Sequence, residues 1–185
     1  MKELKSDLKI AKDDHVKGDD ERPITLIQYA DYRCPFSGAA FPVIQETLAE
    51  YQEVIRFVYR HFPLVQLHPG AFLLSQFAEA AGRQGHFWAA HQLLFGSQNL
   101  INDEKLTHFL LQQNVDESRF REDIESKEVS AKIMNDMMTG KKLGVHKTPS
   151  FFLNGRLFQS EWHQSGLRDQ IRDLLGKQHE AHPPI

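Results

Sequence analysis

The 185-residue sequence contains a single cysteine, Cys34. One cysteine excludes an intramolecular disulfide and a metal site built from several thiolates, and a lone thiol suits a reducing compartment. The sequence also lacks an apolar stretch long enough to cross a bilayer, and its first ten residues lack the apolar core of a signal peptide. We therefore expect a cytoplasmic protein with no membrane partner. A periplasmic or other extracytoplasmic location would require the earlier removal of a leader.

An excess of charge of one sign is missing as well. The 22 Lys and Arg residues nearly balance the 25 Asp and Glu residues, and the formal net charge is −3. The signs are interspersed, without the basic patch that is typical of nucleic-acid binding. We expect no nucleic-acid partner. A hydrophobic content of 41% at this length is enough for the core of one domain, with room for a helical insertion.

The segment around Cys34 places the thiol at the start of a helix. Residues 24–29 are short, apolar and β-branched, which predicts a buried strand. Apolar residues recur at helical spacing from Ser37 onward, and Pro35 suits the first turn of a helix. Free amides and the positive end of the helix dipole favour a thiolate at such a position. A reactive cysteine is the favoured interpretation, and a small buried hydrophobe is the alternative.

A second segment, residues 144–155, predicts a turn, an apolar strand and an Asn-Gly hairpin. Thr148 and Pro149 directly precede the strand, and their peptide bond is a candidate for the cis isomer. His146 lies three residues before Pro149. It is either a surface-loop residue or a group that approaches Cys34, where an imidazolium would favour the thiolate.

The order of these segments resembles the thioredoxin plan: strand, Cys-Pro-x-x, helix and, much later, Thr-Pro before a hairpin and a final helix. The details resemble the DsbA-like thiol:disulfide oxidoreductases. This likeness covers nearly the whole chain, and it rests on residues 14–18, 29–37, 60–64, 68–69, 85–88 and 148–155. It implies an α/β, thioredoxin-like fold with an inserted helical domain. By this resemblance Cys34 is the nucleophile, Pro149 is the cis-proline facing it, and Thr148 supplies the backbone that pairs with a substrate.

Ser37 departs from the family pattern, because dithiol members carry the resolving cysteine at this position. With one cysteine, the chain cannot carry out the ordinary dithiol cycle. The pattern predicts a monothiol oxidoreductase, reductase- or isomerase-like, that forms mixed disulfides with cysteine-containing proteins or peptides. Glutathione, the substrate's own second thiol or another protein would resolve them. We expect the Ser37 hydroxyl to hydrogen-bond the Cys34 thiolate. A replacement of cysteine by Ser37, made to trap substrates, is the alternative origin of this motif.

Two other functions fit the same residues. Cys-Pro-Phe-Ser resembles the Ser-Pro-x-Ser entry of kappa-class glutathione transferases, which share the fold, and a non-catalytic peptide-binding module would keep the groove without the chemistry. Pro35 and Phe36 are expected at the rim, with Phe36 exposed to substrate. We expect no cofactor, with glutathione as a possible co-substrate only. No metal site is expected, because His86 and His91 are five residues apart and diverge on one helix.

The expected organisation has four parts. Residues 1–22 are an N-terminal arm, residues 23–62 and 144–178 form the thioredoxin-like domain, residues 63–143 are the helical insertion, and residues 179–185 are a flexible tail. The second strand is predicted over residues 54–62. The predicted later helices cover residues 70–83, 86–95, 104–113, 117–127, 129–143 and 164–175.

Overall fold

The computed structural model describes residues 8–159, 162–163 and 165–181. Its centre is one mixed sheet in the order β1-β3-β2-β4-β5. Strands β2 and β3 are parallel, and the other pairs are antiparallel. The strands are β1 His15–Lys17, β2 Ile24–Ala30, β3 Ile55–His61, β4 Ser150–Leu153 and β5 Arg156–Leu157.

Helix α1 follows β2, helices α2 to α6 lie between β3 and β4, and α7 closes the chain. Three of these helices begin at a side chain that caps the first turn, since Asn102, Asp116 and Ser126 each accept a backbone N–H from three residues later. The helices are α1 Pro35–Glu50, α2 Ala71–Gly82, α3 Phe87–Gly96, α4 Asp103–Gln112, α5 Glu117–Ile124, α6 Lys127–Lys142 and α7 Gly166–Ala181, with a 3₁₀ turn at Gln98–Leu100.

Both faces of the sheet are covered, and successive residues of β2 point to opposite faces. Leu26 belongs to the larger core, which includes residues of α1, α2, α3 and α7. Ile27 and Tyr29 belong to a smaller core with Val58 and Val145. Burial on both faces explains why β2 and β3 read as nearly continuous apolar runs rather than as alternating ones.

The structure confirms the predicted fold class, with small differences in the elements. Strand β1 lies inside the predicted N-terminal arm, and it pairs with β3 so that Val16 stands opposite Val58. Helix α5 ends at Ile124, before the predicted residue 127, because Ser126 already caps α6. Helix α7 runs on to Ala181, beyond the predicted residue 175, and residues 182–185 of the predicted tail lie outside the described residues.

Within the described part of the chain, no helix combines the length and the apolar character that a bilayer-spanning segment needs.

Candidate active site

Cys34 is the residue that precedes the first turn of α1, at the end of β2. Its backbone is extended, with φ −76° and ψ 120°, and Pro35 takes the first helical position. The N–H of Cys34 donates to the carbonyl of Asp31 at 3.1 Å, and its own carbonyl accepts the N–H of Gly38 at 3.0 Å. The side chain is 3% exposed. The predicted position of Cys34 at a helix N-terminus is therefore observed.

The loop before β4 faces this thiol. The peptide bond between Thr148 and Pro149 is cis, and the Cys34 thiol donates to the carbonyl of Thr148 at 3.2 Å. Strand pairing accounts for this approach, because β4 lies beside β2 with Ser150 opposite Tyr29. The two motifs, 114 residues apart in sequence, thus meet where β2 ends and β4 begins, at one end of these neighbouring strands.

Ser37 is fully buried, and its contact differs from the one expected. Its hydroxyl accepts the N–H of Asp31 at 3.4 Å. In the described part of the chain no hydrogen bond joins Ser37 to Cys34, so the expected bond to the thiolate is corrected. Side chains on a helix lean toward its N-terminus, which carries this hydroxyl back to the turn before Cys34.

The side chain of Asp31 holds the turn before Cys34 in place. Its carboxylate is fully buried and accepts the N–H groups of Arg33 at 2.7 Å and Leu64 at 2.9 Å. A ring nitrogen of His68 lies 2.7 Å from the same carboxylate. From the sequence, Asp31 is interpreted as a residue of the helix-entry turn, with a proton acceptor as the alternative. The structure adds that it ties the turn before Cys34 to the loop after β3.

Gln98 holds the same turn from the 3₁₀ segment. Its side-chain amide donates to the carbonyls of Tyr32 and Cys34, both at 2.9 Å. Gly38 leaves the space for this contact, since a Cβ added there would lie within 3 Å of two Gln98 side-chain atoms. The sequence offers no signal for this role, because a glutamine in a polar turn carries no periodic pattern.

We expect Gln98→Ala to lower the free energy of unfolding by about 1–2 kcal/mol, because two hydrogen bonds to the Cys34 turn are lost. Urea denaturation measures the change. Gln112→Ala, at an exposed position of α4, is the matched control and should leave stability within about 0.5 kcal/mol. Equal stability of the two variants would show that the Gln98 hydrogen bonds do not stabilise the turn at Cys34.

A groove lies along the Thr148–Pro149 loop and encloses about 770 Å³. Four residues that the sequence singles out near the thiol line this groove, namely Phe36, His146, Thr148 and Pro149. Phe36 is 69% exposed, as predicted for a residue beside the nucleophile. Pro35 is exposed at the start of α1 but does not line the groove. His146 forms no hydrogen bond with Cys34 in the described part of the chain.

A buried polar cluster lies under α2. Glu79 Oε1 is 2.7 Å from His15 Nε2 and 2.8 Å from His61 Nε2. Burial raises the pKa of Glu79, but the hydrogen bonds from the two imidazoles outweigh it and hold that pKa well below its usual range. Nearby, burial lowers the pKa of His91 well below its usual value, and its Nδ1 lies 3.1 Å from the Tyr32 hydroxyl. The sequence predicts none of these pairings.

A mixed sheet with helices on both faces, a cysteine at a helix N-terminus and a cis-proline loop opposite it together define a thioredoxin fold with a thiol site. The chain belongs to the thioredoxin family, since the family described as Thioredoxin matches residues 11–173. Solved structures of DsbA proteins share its fold.

A thioredoxin-like oxidoreductase from Silicibacter pomeroyi is 26% identical with a TM-score of 0.73, over 92% of this chain and 94% of that one. Wolbachia pipientis alpha-DsbA1 shares the fold at 23% identity with a TM-score of 0.74, over 92% of this chain and 94% of that one. The thiol-disulfide exchange protein alpha-DsbA2 from Wolbachia pipientis shares it at 19% identity with a TM-score of 0.72, over 86% of each chain.

Curated relatives are much longer than this chain. A protein named Na(+)/H(+) antiporter NhaA 3 from Salinispora tropica is 39% identical over 77% of this chain and 22% of its own length. One named Na(+)/H(+) antiporter NhaA 1 from Mycobacterium sp. strain KMS is 30% identical over 83% of this chain and 25% of its own length. The chain thus spans about a quarter or less of these relatives.

Proposed function

We propose that this protein is a monothiol thiol–disulfide oxidoreductase that acts on cysteine-containing proteins or peptides, with Cys34 as the only nucleophile. The observation that carries the proposal is the contact between the Cys34 thiol and the Thr148 carbonyl at 3.2 Å. The sulfur lies at a helix N-terminus, beside a groove in which we expect an extended substrate segment to bind. The buried Ser37 occupies the position where a second thiol would stand.

The chemistry runs in two exchanges. The Cys34 thiolate attacks one sulfur of a substrate disulfide, a new S–S bond forms to Cys34, and the other substrate sulfur leaves as a thiolate that takes a proton from water. An external thiolate then attacks the mixed disulfide and releases Cys34. When this external thiolate is glutathione, the substrate sulfur is left bonded to glutathione, and a second glutathione thiolate attacks that glutathione sulfur and frees the substrate thiol. The substrate disulfide has then gained two electrons, and two glutathione molecules are oxidised to their disulfide.

The site favours this route in two ways. The positive end of α1 stabilises negative charge on Cys34 both before attack and when Cys34 is the leaving group. The backbone at Thr148, in turn, is where a substrate strand pairs with the protein. A cytoplasmic location, where reduced glutathione is abundant, belongs to the same proposal.

The first experiment mixes the protein with oxidised glutathione at neutral pH and measures the product by intact mass. We expect one glutathione adduct on Cys34, which added reduced glutathione removes. Cys34→Ser is the control and should form no adduct. A Cys34 thiol that forms no adduct would instead indicate a non-catalytic binding module.

A further inference from the structure

The groove beside Cys34 has a cationic margin. Its described lining contains no carboxylate, while His146 and Lys147 both lie on it and are exposed. Neither side chain forms an ion pair with any residue in the described ranges. Arg33, an exposed cation like Lys147, directly precedes Cys34, and its guanidinium lies beside Gly70 at the start of α2. The thiol is therefore flanked by positive charge that the described chain does not neutralise.

The rest of the groove is apolar and aromatic. Phe36, Phe158 and Trp162 line it, and most of the Phe36 side chain is open to solvent. Exposed aromatic surface beside a cleft is typical of a binding surface. The groove therefore offers one aromatic side and one cationic side to whatever chain lies along it.

Thr148 adds a polar group that lacks a partner. Its side chain lines the groove, the residue is 5% exposed, and its hydroxyl oxygen Oγ1 has no hydrogen-bond partner in the described part of the chain. A buried hydroxyl without a partner is costly. A polar group brought by a ligand next to the Thr148–Pro149 loop would remove that cost.

We propose that the groove selects anionic disulfides, in which a carboxylate stands next to the disulfide-bonded cysteine. The inference rests on the proposed function and names its substrate class. Lys147 and His146 would meet the carboxylate, while Phe36 packs against an apolar neighbour. Two sources share this chemistry: glutathione, which carries a carboxylate at each end, and an acidic segment of a protein. Unpaired cations at a cleft also raise the rate of encounter with an anion.

The experiment uses capped peptides that differ only beside their cysteine, with Glu, Gln or Lys, each as the mixed disulfide with neutral 2-thiopyridine. The rate of attack by Cys34 is divided by the rate with free 2-mercaptoethanol, which corrects for the intrinsic reactivity of each peptide. We expect the order Glu, Gln, Lys, with Glu about fivefold above Gln, within the range of exposed ion pairs. The preference should shrink in about 0.5 M salt, because exposed charges are screened.

Lys147→Glu should abolish or invert the preference. The matched control is Lys127→Glu, which makes the same charge change at the first residue of α6, whereas Lys147 lies five residues beyond the last residue of that helix. That 16-residue helix is about 24 Å long, well beyond the range of unscreened charge at physiological salt. Glutathione disulfide and its ethyl esters, compared in the same assay, separate the small thiol from the peptide source.

The outcomes are distinct. Equal corrected rates for the three peptides, or a preference that survives Lys147→Glu, would overturn the anionic selectivity while thiol exchange still stands. A failure of every peptide to react would overturn the proposed function itself. A preference restricted to free glutathione over its esters would assign the groove to the small thiol, and a preference among the peptides would assign it to acidic protein segments.

Discussion

Replacing Ser37 by cysteine is expected to let the protein release both thiols of a substrate disulfide in one turnover, without an external thiol. By the proposed monothiol route, Cys34 of the wild type attacks a disulfide of two identical peptides, one peptide leaves, and the second remains bound as a mixed disulfide. In Ser37→Cys a second thiol stands three residues along, at the spacing of Cys-x-x-Cys sites at helix N-termini. It attacks the mixed disulfide, forms the bond between residues 34 and 37, and releases the second peptide.

The size of the effect follows from effective concentration. A thiol held on the same chain acts at roughly millimolar concentration or above. With glutathione limiting at about 0.1 mM, release of the second peptide should therefore rise at least tenfold. Quenched samples analysed by intact mass measure both the mixed disulfide and the free peptide. The required geometry is available, since residues three apart at a helix start have Cβ atoms about 5–6 Å apart and small adjustments bring a disulfide within range.

Two variants serve as controls. Ser37→Ala removes the hydroxyl without adding a thiol, and it should stop at the mixed disulfide as wild type does. Cys34→Ser combined with Ser37→Cys should not react with the peptide disulfide, because position 37 is fully buried. Unaided release of the second peptide by wild type, or none by Ser37→Cys, would contradict the monothiol proposal.

The sequence was sufficient to predict the helix and the strand that carry the Cys-Pro and Thr-Pro motifs. Cys34 and Pro35 mark the start of α1, and Thr148 and Pro149 mark the loop before β4, because proline and apolar strands leave strong local patterns. Strand pairing then brings the motifs together, and the family resemblance supplies that topology.

The sequence was not sufficient for contacts between distant side chains. The hydrogen bonds from Gln98 to the Cys34 turn span more than sixty residues and obey no periodicity. The predicted hydrogen-bond partner of Ser37 was wrong for a related reason. The Ser37 hydroxyl accepts the N–H of Asp31 instead of bonding to the Cys34 sulfur. Strand β1 was missed because three residues, of which two are polar or charged, give too short a pattern to detect.

We expect Glu79→Gln to lower the free energy of unfolding, because Glu79 connects the short strand β1 to its neighbours. Glu79, on α2, binds both His15 of β1 and His61 of β3, so one carboxylate joins three elements. Removing one partner of a buried charged cluster typically costs about 3–5 kcal/mol. Glutamine keeps the shape and one acceptor oxygen, and we therefore expect about 3 kcal/mol of lost stability at pH 7. Urea denaturation gives this value. Glu122→Gln, exposed on α5, should change stability by less than about 0.5 kcal/mol.

The pH dependence identifies the charge rather than the shape as the cause. The lowered pKa of Glu79 means that its ionised form stabilises the fold above the ordinary glutamate value of about 4.3, and this stabilisation is lost as the pH falls below that value. The gap between wild type and Glu79→Gln should therefore narrow below about pH 4. Burial also lowers the pKa of His91, so protonation of His91 lowers the stability of both proteins below about pH 6.5. A gap that stays constant down to pH 3 would show that packing, and not the carboxylate between His15 and His61, fastens β1 to the sheet.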